Sequence, residues 1–128
     1  MPDLGYYEKI PRPESRESFI KYLKGAKVVV DVEQVSYQVI TVIRDNKPQV
    51  KTFLTNVYVV SLADVYEIMG EHRDLNAIVT ISAWNGYTKE AKQDCKQRNV
   101  GLFTFKEFLG AVWHTGQDFL NYTPPERN

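Results

Sequence analysis

The stretch from Asn76 to Val112 constrains the fold more than any other part of the chain. It reads NAIVTISAWNGYTKEAKQDCKQRNVGLFTFKEFLGAV: an apolar strand, a polar loop with two aromatics, a helix, a second strand and a second helix. A strand that returns to its sheet through a helix runs parallel to its neighbour. Ala77 to Ser82, AIVTIS, is nearly continuous in apolar and β-branched residues, as expected for a strand covered on both faces. The loop that follows falls at a strand's carboxyl end, where open α/β sheets place their ligands.

The upstream half has a different rhythm. Lys27 to Val35, KVVVDVEQV, is β-branched. Its alternation predicts Val28, Val30 and Val32 on one face and Val29, Asp31 and Glu33 on the other. Ser36 to Asp45 is a second strand and Gln49 to Val60 a third, interrupted near Asn56. Between them, Asp45-Asn46-Lys47-Pro48 is a turn, because Asp and Asn tolerate turn conformations and proline cannot donate to a central ladder. These three strands form an antiparallel meander.

Helices fill the remaining places. Glu14 to Ala26 carries one apolar stripe of Phe19, Ile20 and Leu23, and Gly25 is placed to end it. Ser61 caps a helix with Asp64 three residues on, and Leu62, Val65, Tyr66 and Met69 are its expected buried stripe. Thr88 caps KEAKQDCKQRN, whose apolar side is only Ala91 and Cys95, predicting a surface helix. Thr104 and Glu107 form a capping box that opens the last helix. Phe103, Phe105, Phe108, Leu109, Val112 and Trp113 are read as core, with any excess available for a dimer face.

The expected fold class is therefore α/β: a mixed central sheet flanked by helices, in the order α-β-β-β-α-β-α-β-α. The 128 residues fit one domain. Residues 1–13 are expected to be an extended arm, packing Tyr6 or Tyr7 on the domain or reaching a dimer partner; 14–113 form the core, and 116–128 a loosely ordered polar tail.

Sixteen Lys and Arg balance sixteen Asp and Glu, so no overall basic charge advertises nucleic acid. A local basic face, a homodimer or a protein partner remains open to a neutral chain. One cysteine, Cys95, excludes an intrachain disulfide framework and reads as a packing residue in a reducing, cytoplasmic compartment. No apolar run is long enough to span a bilayer, and the polar, proline-interrupted start does not resemble a signal peptide. His72 and His114 lack ligand spacing and are read as surface residues.

Gln49-Val50-Lys51 and the order of elements downstream carry a resemblance to a known family. Gln-x-Lys on the third core strand is followed by Val60-Ser61 and a helix, a strand ending Ile78-Val79-Thr80-Ile81-Ser82, a threonine opening an alanine-containing helix, and a short last strand. This arrangement resembles the Mrr-like branch of the restriction-endonuclease-like superfamily, over roughly residues 14–112. The resemblance implies a metal-dependent DNA endonuclease or DNA-processing hydrolase, with Mg2+ or Mn2+ as cofactor if active and DNA as partner. Lys51, Gln49 and Asp31 are its expected catalytic residues, and Asp31, Glu33 and Gln49 its metal ligands.

The chemistry fits those residue types. Phosphodiester hydrolysis needs an activated water and stabilisation of charge on the phosphate, and a cation held by carboxylate oxygens supplies both. A lysine beside it steadies the developing charge. Gln49 and Lys51, two apart on a strand, are expected on one face. The family pattern also calls for an acid on the preceding strand, yet YQVITVIRD has only Asp45, at its turn. Asp31 or Glu33 must then serve, with Glu14 or Glu17 of the first helix as further candidates.

The loop from Ser82 to Thr88 is the second candidate site. Ser82, Trp84, Asn85, Tyr87 and Lys89 combine aromatic surfaces with polar and cationic groups, a composition suited to nucleic acid. Packing at a helix entry is the plainer role for Trp84 and Tyr87. Two alternatives to hydrolysis stand: a catalytically inactive nuclease-like fold acting as a nucleic-acid-binding or assembly module, and an unrelated Rossmann-like protein binding a small ligand at Trp84–Tyr87.

Overall fold

The computed structural model describes residues 9–125. The expected Tyr6 and Tyr7 contacts and residues 126–128 lie outside that range. Helix α1 (Pro13–Lys24) begins with proline at its first turn, where the missing N–H costs nothing. It buries Phe19, Ile20 and Leu23. Strands β1 (Val29–Gln34), β2 (Val39–Arg44) and β3 (Lys47–Thr55) follow as an antiparallel meander. Asn46, in the β2–β3 turn, takes a left-handed φ of 56°, which asparagine accepts more readily than other non-glycine residues.

The chain leaves the main sheet at Asn56. A short β4 (Val59–Val60) pairs in parallel with β6 (Gly86–Tyr87), making a separate two-stranded sheet. The third strand thus ends at Thr55 rather than Val60. Helix α2 (Leu62–Glu71) opens with the expected Ser61–Asp64 capping box. It buries Val65 and Ile68, while Tyr66, expected inside, is exposed. Strand β5 (Ala77–Thr80) is buried throughout. Helix α3 (Lys89–Gln97) is capped by Thr88, and β7 (Gly101–Thr104) leads through the Thr104–Glu107 box into α4 (Phe105–Ala111). A further helix, α5 (Gly116–Leu120), stands where a loose tail was expected, because Phe119 and Leu120 are buried against the core. Trp113 is half exposed rather than core.

The main sheet has the order β1-β2-β3-β5-β7, with β3, β5 and β7 parallel. This is an α/β fold with a mixed five-stranded sheet flanked by helices. One face, with Val32, Ile40, Val42, Val50, Leu54 and Val79, packs with α1, α4 and α5 around Phe19, Phe103 and Phe108. The other face, with Val39, Phe53, Ile78 and Leu102, packs with α2 and α3.

Two bulges modify the strand alternation. The β1–β2 register shifts between Val29 and Asp31, so Val30 is an extra residue; it is exposed, and Val29 and Val32 are the buried pair. The Val28, Val30, Val32 face is therefore corrected, because one inserted residue reverses side-chain direction. The β2–β3 register also shifts, leaving Pro48 and Gln49 opposite Ile43 alone. Arg44 ties this corner down. Nearly buried, it donates to the carbonyls of Pro48 (2.9 Å), Val112 (3.0 Å) and His114 (2.7 Å). Burial lowers its pKa. The guanidinium thus satisfies carbonyls just past the end of α4, where a cation is favourable.

Candidate functional site

Lys51, Gln49, Asp31 and Glu33 fall on the antiparallel half of the sheet. Glu33 pairs with Thr41 and Thr41 with Lys51, so the three lie in one cross-strand row. A whole strand separates the carboxylate from the lysine, about 10 Å between strand axes. Lys51 Nζ donates to the Arg73 carbonyl at 3.0 Å, and its backbone N–H donates to Asn76 Oδ1 at 2.8 Å. Both bonds fasten β3 to the loop between α2 and β5. Asp31 turns its Oδ1 onto the Val32 N–H at 2.8 Å, folding back along the free edge of the sheet. Gln49 is exposed and lies in the bulge, where period-two alternation no longer fixes its direction. Glu14 and Glu17 belong to α1, on the opposite face from Lys51 and Phe53.

The residues named for a cation therefore do not converge. Among the described residues, no group of three or more His, Cys, Asp or Glu is placed to hold a metal ion. His72 and His114 stack on Phe53 and Tyr122, with ring centroids 4.6 and 5.2 Å apart.

The carboxyl ends of β3, β5 and β7 are built differently. Asn56, Ser82 and Thr104 stand just past or at these ends and line one open cleft of about 1380 Å3. Its floor is a polar network that pins two loops together. Asn85, nearly buried, donates from Nδ2 to Thr80 Oγ1 (2.9 Å) and to the Asn56 backbone and side-chain oxygens (3.2 and 3.3 Å). Ser82 Oγ donates to Asn56 Oδ1, and Thr80 Oγ1 donates to the Val57 carbonyl at 2.6 Å. The Gly86 N–H reaches the Tyr58 carbonyl at 2.8 Å, continuing the β4–β6 pairing. The Lys9 carbonyl accepts from Asn56 N and Thr55 Oγ1, both at 3.0 Å, bringing Lys9 onto the same rim.

This rigid floor carries exposed aromatics. Trp84 is 78% exposed at the tip of its loop, with Tyr58 (65%) on the adjoining loop and Tyr22 (62%) on α1 across the cleft. Lys9, Arg12 and Lys106 add cations to the lining, while Glu14 and Asp64 add carboxylates. Asp64 is committed to the N–H and hydroxyl of Ser61, at 2.9 and 2.8 Å. Lys9 meets Glu67 at 3.5 Å in an exposed pair, too weak to hold it against a competing anion.

The five residues proposed for nucleic acid divide accordingly. Trp84 and Lys89 are exposed. Ser82 and Asn85 hold the floor. Tyr87 is half-buried and donates its hydroxyl to both Glu107 oxygens at 2.8 and 2.9 Å. Its pKa is raised by burial first and then by Glu107. Beside it, Lys92 is 9% exposed, with Nζ on the Leu102 carbonyl at 2.6 Å and near the rings of Phe103 (4.3 Å) and Tyr87 (5.3 Å). Burial lowers the Lys92 pKa to about 8, against the opposing pull of Glu107. Cys95 is buried, and that burial pushes its thiol up to about 12.

Tyr22, Tyr58, Asn56 and Lys106 were absent from the residues picked from sequence. For Asn56, Tyr58 and Lys106 the signal was positional, since β3, β5 and β7 run parallel and place the segments after Thr55, Thr80 and Thr104 on one rim, whereas Tyr22 on α1 gave no such signal. Comparison with protein-family models, with curated proteins and with solved structures returned no match. Among the described residues no helix is long and apolar enough to cross a membrane.

Proposed function

We propose that this chain is a nucleic-acid-binding module on a restriction-endonuclease-like fold of the Mrr-like kind, and that it holds its ligand without cutting it. The observation that carries this reading is the cleft at the carboxyl ends of β3, β5 and β7, where exposed Tyr22, Tyr58 and Trp84 stand beside Lys9, Arg12 and Lys106. Aromatic faces with nearby cations are the elements of sequence-tolerant nucleic-acid binding. The fold resemblance is supported by the antiparallel β1-β2-β3 meander, by β5 lying parallel to β3, and by α1 and α2 covering opposite faces.

Hydrolysis has less behind it. Lys51 has its amine on a backbone carbonyl, and Asp31 and Glu33 stand beyond an intervening strand. The test pairs a binding assay with a cleavage assay, using labelled DNA and RNA across a salt series and supercoiled plasmid with Mg2+ or Mn2+. Salt-sensitive retention without nicking is expected. Cleavage abolished both by EDTA and by Lys51→Ala would restore the hydrolase reading. A protein that retains no nucleic acid would overturn the module reading.

A further inference from the structure

The cleft has a shape that discriminates between forms of nucleic acid. Trp84 and Tyr58 stand on two segments joined by the Gly86–Tyr58 hydrogen bond and the β4–β6 pairing, so they form one wall. Tyr22 forms the opposite wall from α1, with its ring edge-on to Phe105 at 5.9 Å. The Trp84 loop is held from below by Asn85, whose amide spans Thr80 and Asn56. The backbone that carries the 78% exposed indole is thus fixed before any ligand arrives. The ordering cost left on binding is mainly that of the indole's own rotation.

In a duplex, the π-faces of the bases are covered by their neighbours in the stack, and aromatic side chains reach them only by forcing the steps apart. In a single strand those faces are free. The cleft volume of about 1380 Å3 also exceeds the roughly 300 to 1,000 Å3 of small-molecule sites. It is open to solvent, and its size suits a polymer better than a mononucleotide. Lys9, Arg12 and Lys106 supply cations for a backbone running past these platforms.

Resting on the module reading above, we infer that the cleft takes an unpaired nucleic-acid strand, with bases stacked on Trp84 and Tyr58 on one wall and Tyr22 on the other. Trp84 is the principal platform, being the largest ring and the most exposed of the three.

The chain has two tryptophans, so Trp113→Phe leaves Trp84 as the sole indole reporter. In that variant, a 12-nucleotide single strand is expected to quench tryptophan emission, and a blunt hairpin of the same composition, its duplex closed by a non-nucleotide linker so that every base is paired, is not. In anisotropy titrations the single strand is expected to bind at least about tenfold more tightly than the hairpin, with Trp84→Ala weakening it about 5- to 150-fold. Three backbone contacts predict a log–log salt slope of about −2. Circular dichroism of Trp84→Ala, whose side chain faces solvent, checks that the fold is intact.

Equal binding of hairpin and single strand, untouched by Trp84→Ala, would overturn the inference and leave the module reading standing. Equal affinity for a mononucleotide and the 12-mer would overturn the polymer assignment. Failure to bind any of these probes would overturn both readings together.

Discussion

The antiparallel strands β1 to β3 and the parallel strands β3, β5 and β7 share one sheet but, with Arg44 and the buried threonines of β2 and β3 apart, treat their polar side chains in opposite ways. On β1 and at the start of β3, Asp31, Glu33 and Gln49 are exposed, on a part of the sheet where helices cover only the other face. Each can be satisfied by water, so nothing obliges them to converge. Around β5 and β7, Thr80, Asn85 and Lys92 are buried, and each finds a protein partner. Among the described residues, no buried side-chain nitrogen or oxygen lacks one. A polar group removed from water must be paired or cost kilocalories, so burial forces the organisation that the solvated half lacks. The half with the more suggestive sequence motif is the less organised one.

The largest expected break in this contrast is Asn85→Ala. It removes the buried donor that joins Thr80 to Asn56 through three hydrogen bonds, a loss of about 2 to 3 kcal/mol. Urea unfolding measures it, and a cost under about 0.5 kcal/mol, the size of an ordinary surface change, would mean the two halves do not differ in this way.

Gly101→Ala comes next. A Cβ there would stand 2.3 Å from Cε2 of the fully buried Phe103 ring and 3.0 Å from Phe119. The ring has no free space to swing into, so overpacking should cost about 1 to 3 kcal/mol. Thermal unfolding at matched protein concentration reads the loss, and an unchanged Tm would show that β7 yields more easily than its burial implies.

Lys92 gives a change in sign rather than size. Its folded pKa is lowered from 10.5 to about 8, so between those values the unfolded chain binds more protons than the folded one. Stability from this group therefore rises with pH through that window. Cys95, raised from 9.0 to about 12, works in the opposite sense above pH 9, so the rise is cleanest between about pH 8 and pH 9. Lys92→Met is expected to abolish that rise and to be neutral or stabilising at pH 7, since an apolar residue of similar volume often replaces a buried charge without loss. Denaturant midpoints of both proteins at pH 7, 8 and 9 check this; parallel curves would exclude Lys92 as the source.

The smallest effects belong to the antiparallel half. Gln49→Ala and Glu33→Gln should each stay within about 0.5 kcal/mol of the parent in urea unfolding. A loss above 1 kcal/mol from either would reveal a partnership on this surface and narrow the difference between the halves.

Several elements were legible from residue order. Both capping boxes and the Thr88 cap stand as expected, because capping is a local exchange between a side chain and amides three residues away. Strand β5 is buried on both faces, as its apolar run implied. The bulges at Val30 and at Pro48–Gln49 were not legible, since a one-residue register shift depends on the partner strand. Nor was α5: a helix of five residues has little propensity of its own, and burial of Phe119 and Leu120 sustains it. Arg44 and Lys92 look in sequence like ordinary surface cations, and only the carbonyls brought to them from distant segments explain their burial.

The sequence by itself determined the α/β class, the antiparallel-then-alternating order and the helix starts, because periodicity and capping act over a few residues. Only the tertiary structure decided which polar groups meet. It kept Asp31 and Glu33 a strand away from Lys51, and it gathered Asn56, Thr80, Ser82 and Asn85 beneath Tyr58 and Trp84. Register, crossover and burial set those distances, and they are properties of the whole sheet rather than of any one strand.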